Sequence, residues 1–184
     1  MNFRIVLFLF AVLAAGVPAQ AAEVDYARSQ ITFVSKQMNV PVQGSFKKFT
    51  AHIDFDPKKL AAAKAQIDVD LASIDTGSPD ADAEVSKKGW FNTSAFPTAK
   101  FVSSAVSQSG PDKYEVRGKL SIKGIGQDVV APFSLKRAGD AVTYEGRFNL
   151  KRLQFKIGEG LWSDTDTVAD DVQVNFRIVT TGNK

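Results

Sequence analysis

The stretch 113–151, KYEVRGKLSIKGIGQDVVAPFSLKRAGDAVTYEGRFNLK, decides the fold. Three runs within it alternate apolar and polar residues. The first carries Tyr114, Val116, Gly118, Leu120 and Ile122, and the second Val129, Ala131, Phe133 and Leu135. The third carries Val142, Tyr144, Gly146, Phe148 and Leu150. Successive side chains of a strand point to opposite faces, so a period of two marks strands wet on one side and buried on the other. Gly124-Ile125-Gly126 and Gly139-Asp140 separate the runs and are short enough for hairpins. Three strands joined by tight turns make an antiparallel meander.

The same period recurs to either side. Ile31 and Phe33 begin it. Phe49, Ala51, Ile53 and Phe55 continue it, with Thr50, His52 and Asp54 on the opposite face. Ile67, Val69 and Leu71 follow, then the weaker Phe101, Ser103 and Ala105, and finally Val172, Val174, Phe176 and Ile178. That makes about eight strands. Asp56-Pro57, Gly77-Ser78-Pro79 and Ser109-Gly110-Pro111-Asp112 are turn signals between them. Lys58–Lys64, Ala-rich and led by Pro57, and Asp80–Lys88, free of breakers, read as short helices. One apolar face per strand allows a sandwich or a barrel. Strong patterning of both the first and the last strand favours a closed barrel, which leaves no edge to protect. Eight strands enclose a lumen that side chains fill, or one that holds a single small ligand. Gly118 and Gly146 stand on the inward phase, where they either bend the strand or leave room.

The chain has 184 residues, with 23 basic and 20 acidic side chains interspersed and no basic tract, so nucleic acid is not an expected partner. It has no cysteine. Thiol catalysis, zinc–thiolate sites and a lipidated N-terminal cysteine are excluded, and packing and sheet hydrogen bonds must hold the domain. Fourteen Phe against three Tyr is an unusual balance. Phe has no polar handle and belongs in a dry interior or against an apolar ligand. At the N-terminus, Arg4 precedes an apolar run from Ile5 to Val17, and Ala19-Gln20-Ala21 offers a small-residue cleavage site. The run is shorter than the roughly 20 residues a bilayer span needs. Residues 1–21 are expected to be a signal peptide cleaved before Ala22, and residues 22–184 one exported domain. No later segment is apolar enough to span a membrane.

Catalytic readings find little support. The single histidine, His52, shares its phase with Thr50 and Asp54 and is expected to face solvent, away from any nucleophile. Asp164, Asp166, Asp170 and Asp171 invite a calcium reading, but the sixth and twelfth positions counted from Asp164 hold Ala169 and Asn175 where a calcium loop needs Gly and Glu. Asp80, Asp82 and Glu84 suit the first turn of a helix. No inward carboxylate pair, phosphate loop or dinucleotide fingerprint is present. The polar residues on inward phases are mainly Ser103 and Tyr114.

The remaining candidate is the interior. Phe33, Phe49, Phe55, Phe101, Phe133, Phe148 and Phe176 are expected to share one lumen with Ile53, Ile67, Val69, Leu71, Leu120, Ile122 and Phe155. Trp90, Phe91, Phe96 and Trp162 are expected to frame its mouth, with the Asp80–Lys88 segment carrying Trp90 and Phe91 inward at its end. An ordinary filled core is the competing expectation. An open lumen would suit a long, flexible, apolar guest, since each buried CH₂ contributes about 0.8 kcal/mol.

In order along the chain stand Ser29-Gln30-Ile31-Thr32-Phe33, Gly44-Ser45-Phe46 with Phe49, and Phe55-Asp56-Pro57. Then come Ser73-Ile74-Asp75-Thr76-Gly77, Asp82, Trp90-Phe91-Asn92-Thr93 and Phe96-Pro97-Thr98-Ala99-Lys100-Phe101. Gly118-Lys119-Leu120-Ser121-Ile122-Lys123-Gly124, Arg152-Leu153-Gln154-Phe155-Lys156-Ile157-Gly158 and Gly160-Leu161-Trp162 complete the series. In this order and spacing the chain resembles the YceI-like family of exported lipid-binding proteins, from about Val24 to Thr180. The resemblance implies an all-β fold, an eight-stranded antiparallel lipocalin-like barrel with a short helical insertion. It also implies a polyisoprenoid chain, as a polyprenyl lipid or an isoprenoid quinone, in an apolar tunnel, and a periplasmic location. No catalytic residues are established for the family as a class. The chain departs from the pattern at Gln37, where many members have His, at Ala81, where many have Arg, and at Gly126, where Thr is frequent. Those departures bear on the polar headgroup more than on the tail.

The expected function is a periplasmic binding or carrier protein for an isoprenoid lipid, with no cofactor or metal beyond that bound lipid or quinone. Transient membrane contact and a homodimer stay open as partners. The alternatives are an enzyme acting on a small hydrophobic substrate, which would need converging polar residues inside the barrel, and an envelope stress interaction protein with a filled core.

Overall fold

Alternating apolar residues make strands, and short Gly- and Asp-containing turns join them into a single curled sheet. The computed structural model describes residues 22–182. The signal peptide expected at 1–21 lies outside them. The strands are β1 (Glu23–Val24), β2 (Gln30–Gln37), β3 (Val40–Phe46), β4 (Phe49–Asp54), β5 (Lys64–Asp70), β6 (Ile74–Asp75), β7 (Thr98–Gly110), β8 (Lys113–Ile122), β9 (Ile125–Ala138), β10 (Ala141–Lys151) and β11 (Asp171–Thr181). One helix, α1 (Pro79–Val85), lies between β6 and β7. The strands follow the order β4-β5-β7-β8-β9-β10-β11-β2-β3-β6, with β1 added beside β11. Every ladder among the described residues is antiparallel.

All eight strands read from the sequence are present, and the fold is the expected lipocalin-like β architecture with a helical insertion. The difference in count comes from β3 and the two-residue β1 and β6. Pro41 and Gly44 interrupt the alternation that would have marked β3. Its last residues pair with only a two-residue neighbour on the far side, where Ser45 pairs with Asp75 and Phe46 with Ile74. Pro41 is tolerated because it sits on this mostly unpaired edge. The segment Lys58–Lys64 is not a full helix. It forms one 3₁₀ turn, Leu60–Ala62, before β5 starts at Lys64.

Closure also differs from expectation. The ladder is an open path, and its first strand, β4, and its edge strand, β3, are joined by only Lys47 and Lys48. One segment stitches this seam. β5 pairs with β4, the chain then makes a 3₁₀ turn at Leu71–Ser73, and β6 pairs with β3. Lys47 N–H donates to Ser73 O at 3.0 Å, and Asp70 N–H donates to Lys48 O at 3.0 Å. Leu71, at the pivot, is fully buried. The wall therefore shuts by chain continuity around a buried leucine instead of by a continuous ladder.

Register places inward residues in rings around the wall. Tyr114 faces Phe133, Phe133 faces Gly146, Gly146 faces Phe176, Phe176 faces Ile31, and Ile31 faces Phe46. The inward glycines are seats for these rings. A Cβ on Gly146 would strike the Pro132 carbonyl and come within 2.6 Å of Phe176 Cζ, and one on Gly118 would lie 2.6 Å from the Phe101 ring. Neither glycine leaves empty space, because a cross-strand phenylalanine lies over it. A register shift in β7 between Ser103 and Ala105, opposite Gly118, adds a local bend.

Candidate ligand chamber

The lumen has two parts. Near the middle of the barrel is an inner chamber of about 130 Å³, walled by Ile53, Phe55, Ile67, Phe101, Val116 and Phe133 among others. Toward the end where α1 lies is an outer chamber of about 540 Å³. The outer volume falls within the roughly 300–1,000 Å³ of small-molecule sites. Ile31, Val69, Ala99, Leu120, Phe148 and Val174 line both, so the chambers meet at a waist made by these six side chains. Aliphatic and aromatic side chains dominate the inner wall. The outer wall adds Gln37, Thr76, Asp80, Glu84 and Arg152.

The sequence-predicted residues distribute between these parts. Ile53, Phe55, Ile67, Phe101, Phe133 and Phe176 line the inner chamber, and Val69, Leu120 and Phe148 the waist. Phe33, Leu71, Ile122, Trp90, Phe91 and Trp162 line the outer chamber. Three residues stand elsewhere. Phe49 packs edge-on beneath Tyr26, at 5.6 Å between ring centres, because the segment before β2 crosses the seam there. Phe155 follows β10 on a 3₁₀ turn and is buried behind Leu71, Trp90 and Ile157, which line the outer chamber in its place. Phe96 covers Gly124 in the β8–β9 turn, its ring 3.2 Å from where a Cβ would stand. His52 is exposed, and Ser103 Oγ is occupied in accepting from Ala65 N–H at 2.8 Å. Among the described residues no group of three His, Cys, Asp or Glu side chains is arranged to hold a metal. Asp164 instead accepts from Thr167 Oγ1 and Asp166 N–H and shapes its own loop.

Sequence reasoning assigned no role to Arg152, the buried cation of the outer chamber. It is 2% exposed, and all five of its donors are used on backbone carbonyls. Nε donates to Ala169 O at 3.1 Å. Nη1 donates to Ile157 O at 2.8 Å and Gly158 O at 3.0 Å. Nη2 donates to Trp162 O at 2.6 Å and Val168 O at 2.7 Å. The guanidinium also lies 5.7 Å from the Trp90 ring. Burial lowers its pKa, and the neighbouring Asp170 opposes that fall. One charged fork thus gathers the irregular chain from 157 to 169 into the chamber wall. Its only signal in the sequence was its place inside a family-like motif. Ile31, Val42 and Val174, also on the walls, belong to strand runs, but Val42 was hidden with the rest of β3.

Glu84 on α1 ties the cover together. Its Oε1 accepts from Trp162 Nε1 at 3.2 Å, and its Oε2 pairs with Lys87 at 2.6 Å. The Lys87 hydrogen bond, more than any other cause, holds the carboxyl below its ordinary pKa. Trp162 in turn packs on Trp90, 5.5 Å between ring centres. Helix α1 itself starts with Ser78 as N-cap, Pro79 in its first turn and Asp80 and Asp82 beside it, all suited to a helix start. Asp82 also accepts from Thr76 N–H at 2.8 Å and Thr76 Oγ1 at 2.7 Å, which fixes the helix to the end of β6. Gln37 and Ala81, two of the departures from the family pattern, both face this outer chamber; Gly126 lies away from it, against Lys119 and Ser121.

Comparison with known proteins agrees with this architecture. A UPF0312 protein of Photorhabdus laumondii subsp. laumondii is 32% identical over 127 residues, 64% of this chain and 65% of the relative. The match therefore spans a little under two thirds of that relative's length. The crystal structure of Burkholderia cenocepacia BcnA matches with a TM-score of 0.84 at 45% identity, over 86% of this chain and 100% of that one. A polyisoprenoid binding domain from Saccharophagus degradans, implicated in plant cell wall breakdown, shares the fold at a TM-score of 0.72 and 16% identity, covering 88% and 98% of the two chains. The YceI-like domain model matches residues 23–180, and the chain belongs to the YceI-like family.

Proposed function

We propose that this protein binds one isoprenoid lipid, tail first, and carries or sequesters it in the periplasm. The observation that carries this reading is the polarity gradient along the lumen. The inner chamber presents almost nothing but apolar side chains, whereas Gln37, Thr76, Asp80 and Glu84 stand around the outer one. A hydrocarbon tail gains by entering the first, and a polar headgroup keeps hydrogen-bonding partners in the second. Five carbons of an isoprene unit contribute at most about 3–4 kcal/mol on burial. Ordering a flexible chain takes part of that back. Several units still leave useful affinity without any covalent chemistry. The ligand class named for the Saccharophagus degradans domain of the same fold supports this choice of guest.

Export follows, on this reading, from Arg4, the apolar run Ile5–Val17 and the site Ala19-Gln20-Ala21. Ala22 would then be the first residue of the working protein. The test is to purify the protein from its native source, sequence its N-terminus, extract it with organic solvent and analyse the extract by mass spectrometry. The expected result is Ala22 at the N-terminus and an isoprenoid lipid in near-equimolar yield. Native-source material that releases no lipid would overturn the binding reading, and an intact Met1 would overturn the export reading.

A further inference from the structure

Resting on that reading, we infer that the aromatic cluster beyond the inner chamber is a length gauge, which sets how many isoprene units the lumen accepts. A tail entering from the outer chamber passes the waist and meets Phe55, Phe133 and Tyr144, which line the inner chamber's far side. These rings are not loose. Phe55 packs edge-on against Tyr114, Phe133 and Tyr144, with ring centres 5.1, 6.0 and 5.6 Å apart and interplanar angles of 87°, 74° and 82°. Tyr114 and Phe133 stack at 5.4 Å. Moving any one ring disturbs several of these contacts. Behind them Leu135 and Val142 are buried in the same cluster, so the tail meets solid core. The chain also fixes Phe55 from behind, because Asp56 Oδ1 accepts from Lys58 N–H at 2.9 Å and Lys59 N–H donates to Asp56 O at 2.9 Å.

A floor of this kind has a definite signature. A short tail leaves the inner chamber empty, and each added isoprene unit removes apolar surface from water and fills that space. Affinity rises with length by about tenfold or more per unit until the tail touches the rings. Further units have nowhere to go except back through the mouth, where they gain nothing and displace the headgroup.

The experiment titrates a graded series of polyprenols, from geraniol to long-chain forms, into the delipidated protein. Quenching of Trp90 and Trp162, the two tryptophans of the chain, reports binding at the mouth. Wild type should show affinity climbing with length and then breaking to a plateau or a fall. Phe55→Ala, which opens the floor, should move the break to longer chains, and Ile67→Phe, which fills the inner chamber from β5, should move it to shorter ones. The second variant keeps the test decisive where the first does not fold. Affinity that climbs without a break, or a break at the same length in the folded variants, would overturn the gauge while leaving lipid binding intact. Polyprenols that fail to bind at any length would overturn the lipid reading itself.

Discussion

The two ends of this barrel are built from the same strands and end differently. At one end Tyr114, Val142 and Tyr144 are almost completely buried, and four rings interlock with Leu135 into solid core. At the other, Phe33, Phe91 and Trp162 stand only half-buried around an open volume of about 540 Å³. The filled end lies where the β7–β8 and β9–β10 hairpins turn, and the registers there bring Tyr114 opposite Phe133 and Leu135 opposite Tyr144. The open end is roofed by pieces that are not strands: α1, the 3₁₀ turn Gly160–Ser163 and the loop from 156 to 170. Those pieces are held by hydrogen bonds to Arg152 and Glu84 together with the packing of Trp90, Phe155, Ile157, Trp162 and Val168. Alternation therefore selects which side of each strand is greasy. Whether that grease closes up depends on whether facing rings interlock across the lumen, as Tyr114, Phe133 and Tyr144 do with Phe55, or a roof of non-strand pieces stands over them.

The largest expected effect tests the filled end. Phe133→Asp puts a carboxylate among three packed rings, where a desolvated charge is strongly disfavoured. The loss should exceed about 4 kcal/mol, beyond the common range for single substitutions, with little folded protein recovered. Unchanged melting would mean that Phe133 faces out and that the strand phase is wrong. Truncation to alanine sharpens the contrast. Phe133→Ala should cost about 3–5 kcal/mol in urea unfolding, as for a packed core phenylalanine. Phe91→Ala, at the open end, should cost only about 1–2 kcal/mol, because one side of that ring already faces space. Equal losses at the two sites would show that the outer chamber collapses in solution.

Arg152 tests the roof. Arg152→Ala leaves five carbonyls without their donor, but the adjoining chamber lets water reach some of them. A loss of about 2–4 kcal/mol is expected. Arg152→Lys should fall between, since an ammonium has three donors and no planar fork. The distinguishing readout is local. Tryptophan emission should shift at lower urea than far-ultraviolet circular dichroism, because Trp162 belongs to the roof and Trp90 packs on it, while most strands do not depend on it. Coincident transitions would mean that roof and barrel unfold as one unit.

The same contrast explains what could be read in advance. Period-two runs exposed eight strands and the chamber residues that sit on them, such as Phe55, Phe101, Phe148 and Phe176. They did not expose β3, because Pro41 and Gly44 break the alternation. Gly44 is needed for close approach, since a Cβ there would meet the Phe33 ring and lie 2.7 Å from Asp75 O. Phe49, Phe96 and Phe155 were misplaced for one shared reason. Each lies at or beyond a strand end, where a neighbouring segment, and not the pleat, decides what the ring covers. Arg152 was illegible as well, because carbonyls carry no sequence signature and five acceptors drawn from 157–169 become partners only after the loop has folded. Periodicity reported faces; it did not report the non-strand pieces that set the volume.

The smallest effect concerns the tie between α1 and Trp162. Lys87, followed by Trp162, favours the ionised form of Glu84, so its folded pKa lies below the ordinary 4.5. A carboxyl depressed in this way stabilises the folded state above the unfolded value and loses that contribution as pH falls through the lower folded one. The tie should therefore hold unchanged from neutral pH to about 5 and slacken only in stronger acid. Because the chain has just two tryptophans, both at the mouth, their emission isolates this event from the protonation of Asp75 or Asp25 elsewhere. An acid-induced shift is expected in wild type below the ordinary carboxyl range. Glu84→Gln, which keeps an oxygen acceptor for Trp162 but has no titrating carboxyl, should flatten it. If the variant shows the same acid step, some other group controls the mouth, and the open end owes its shape to Arg152 and packing without help from the helix.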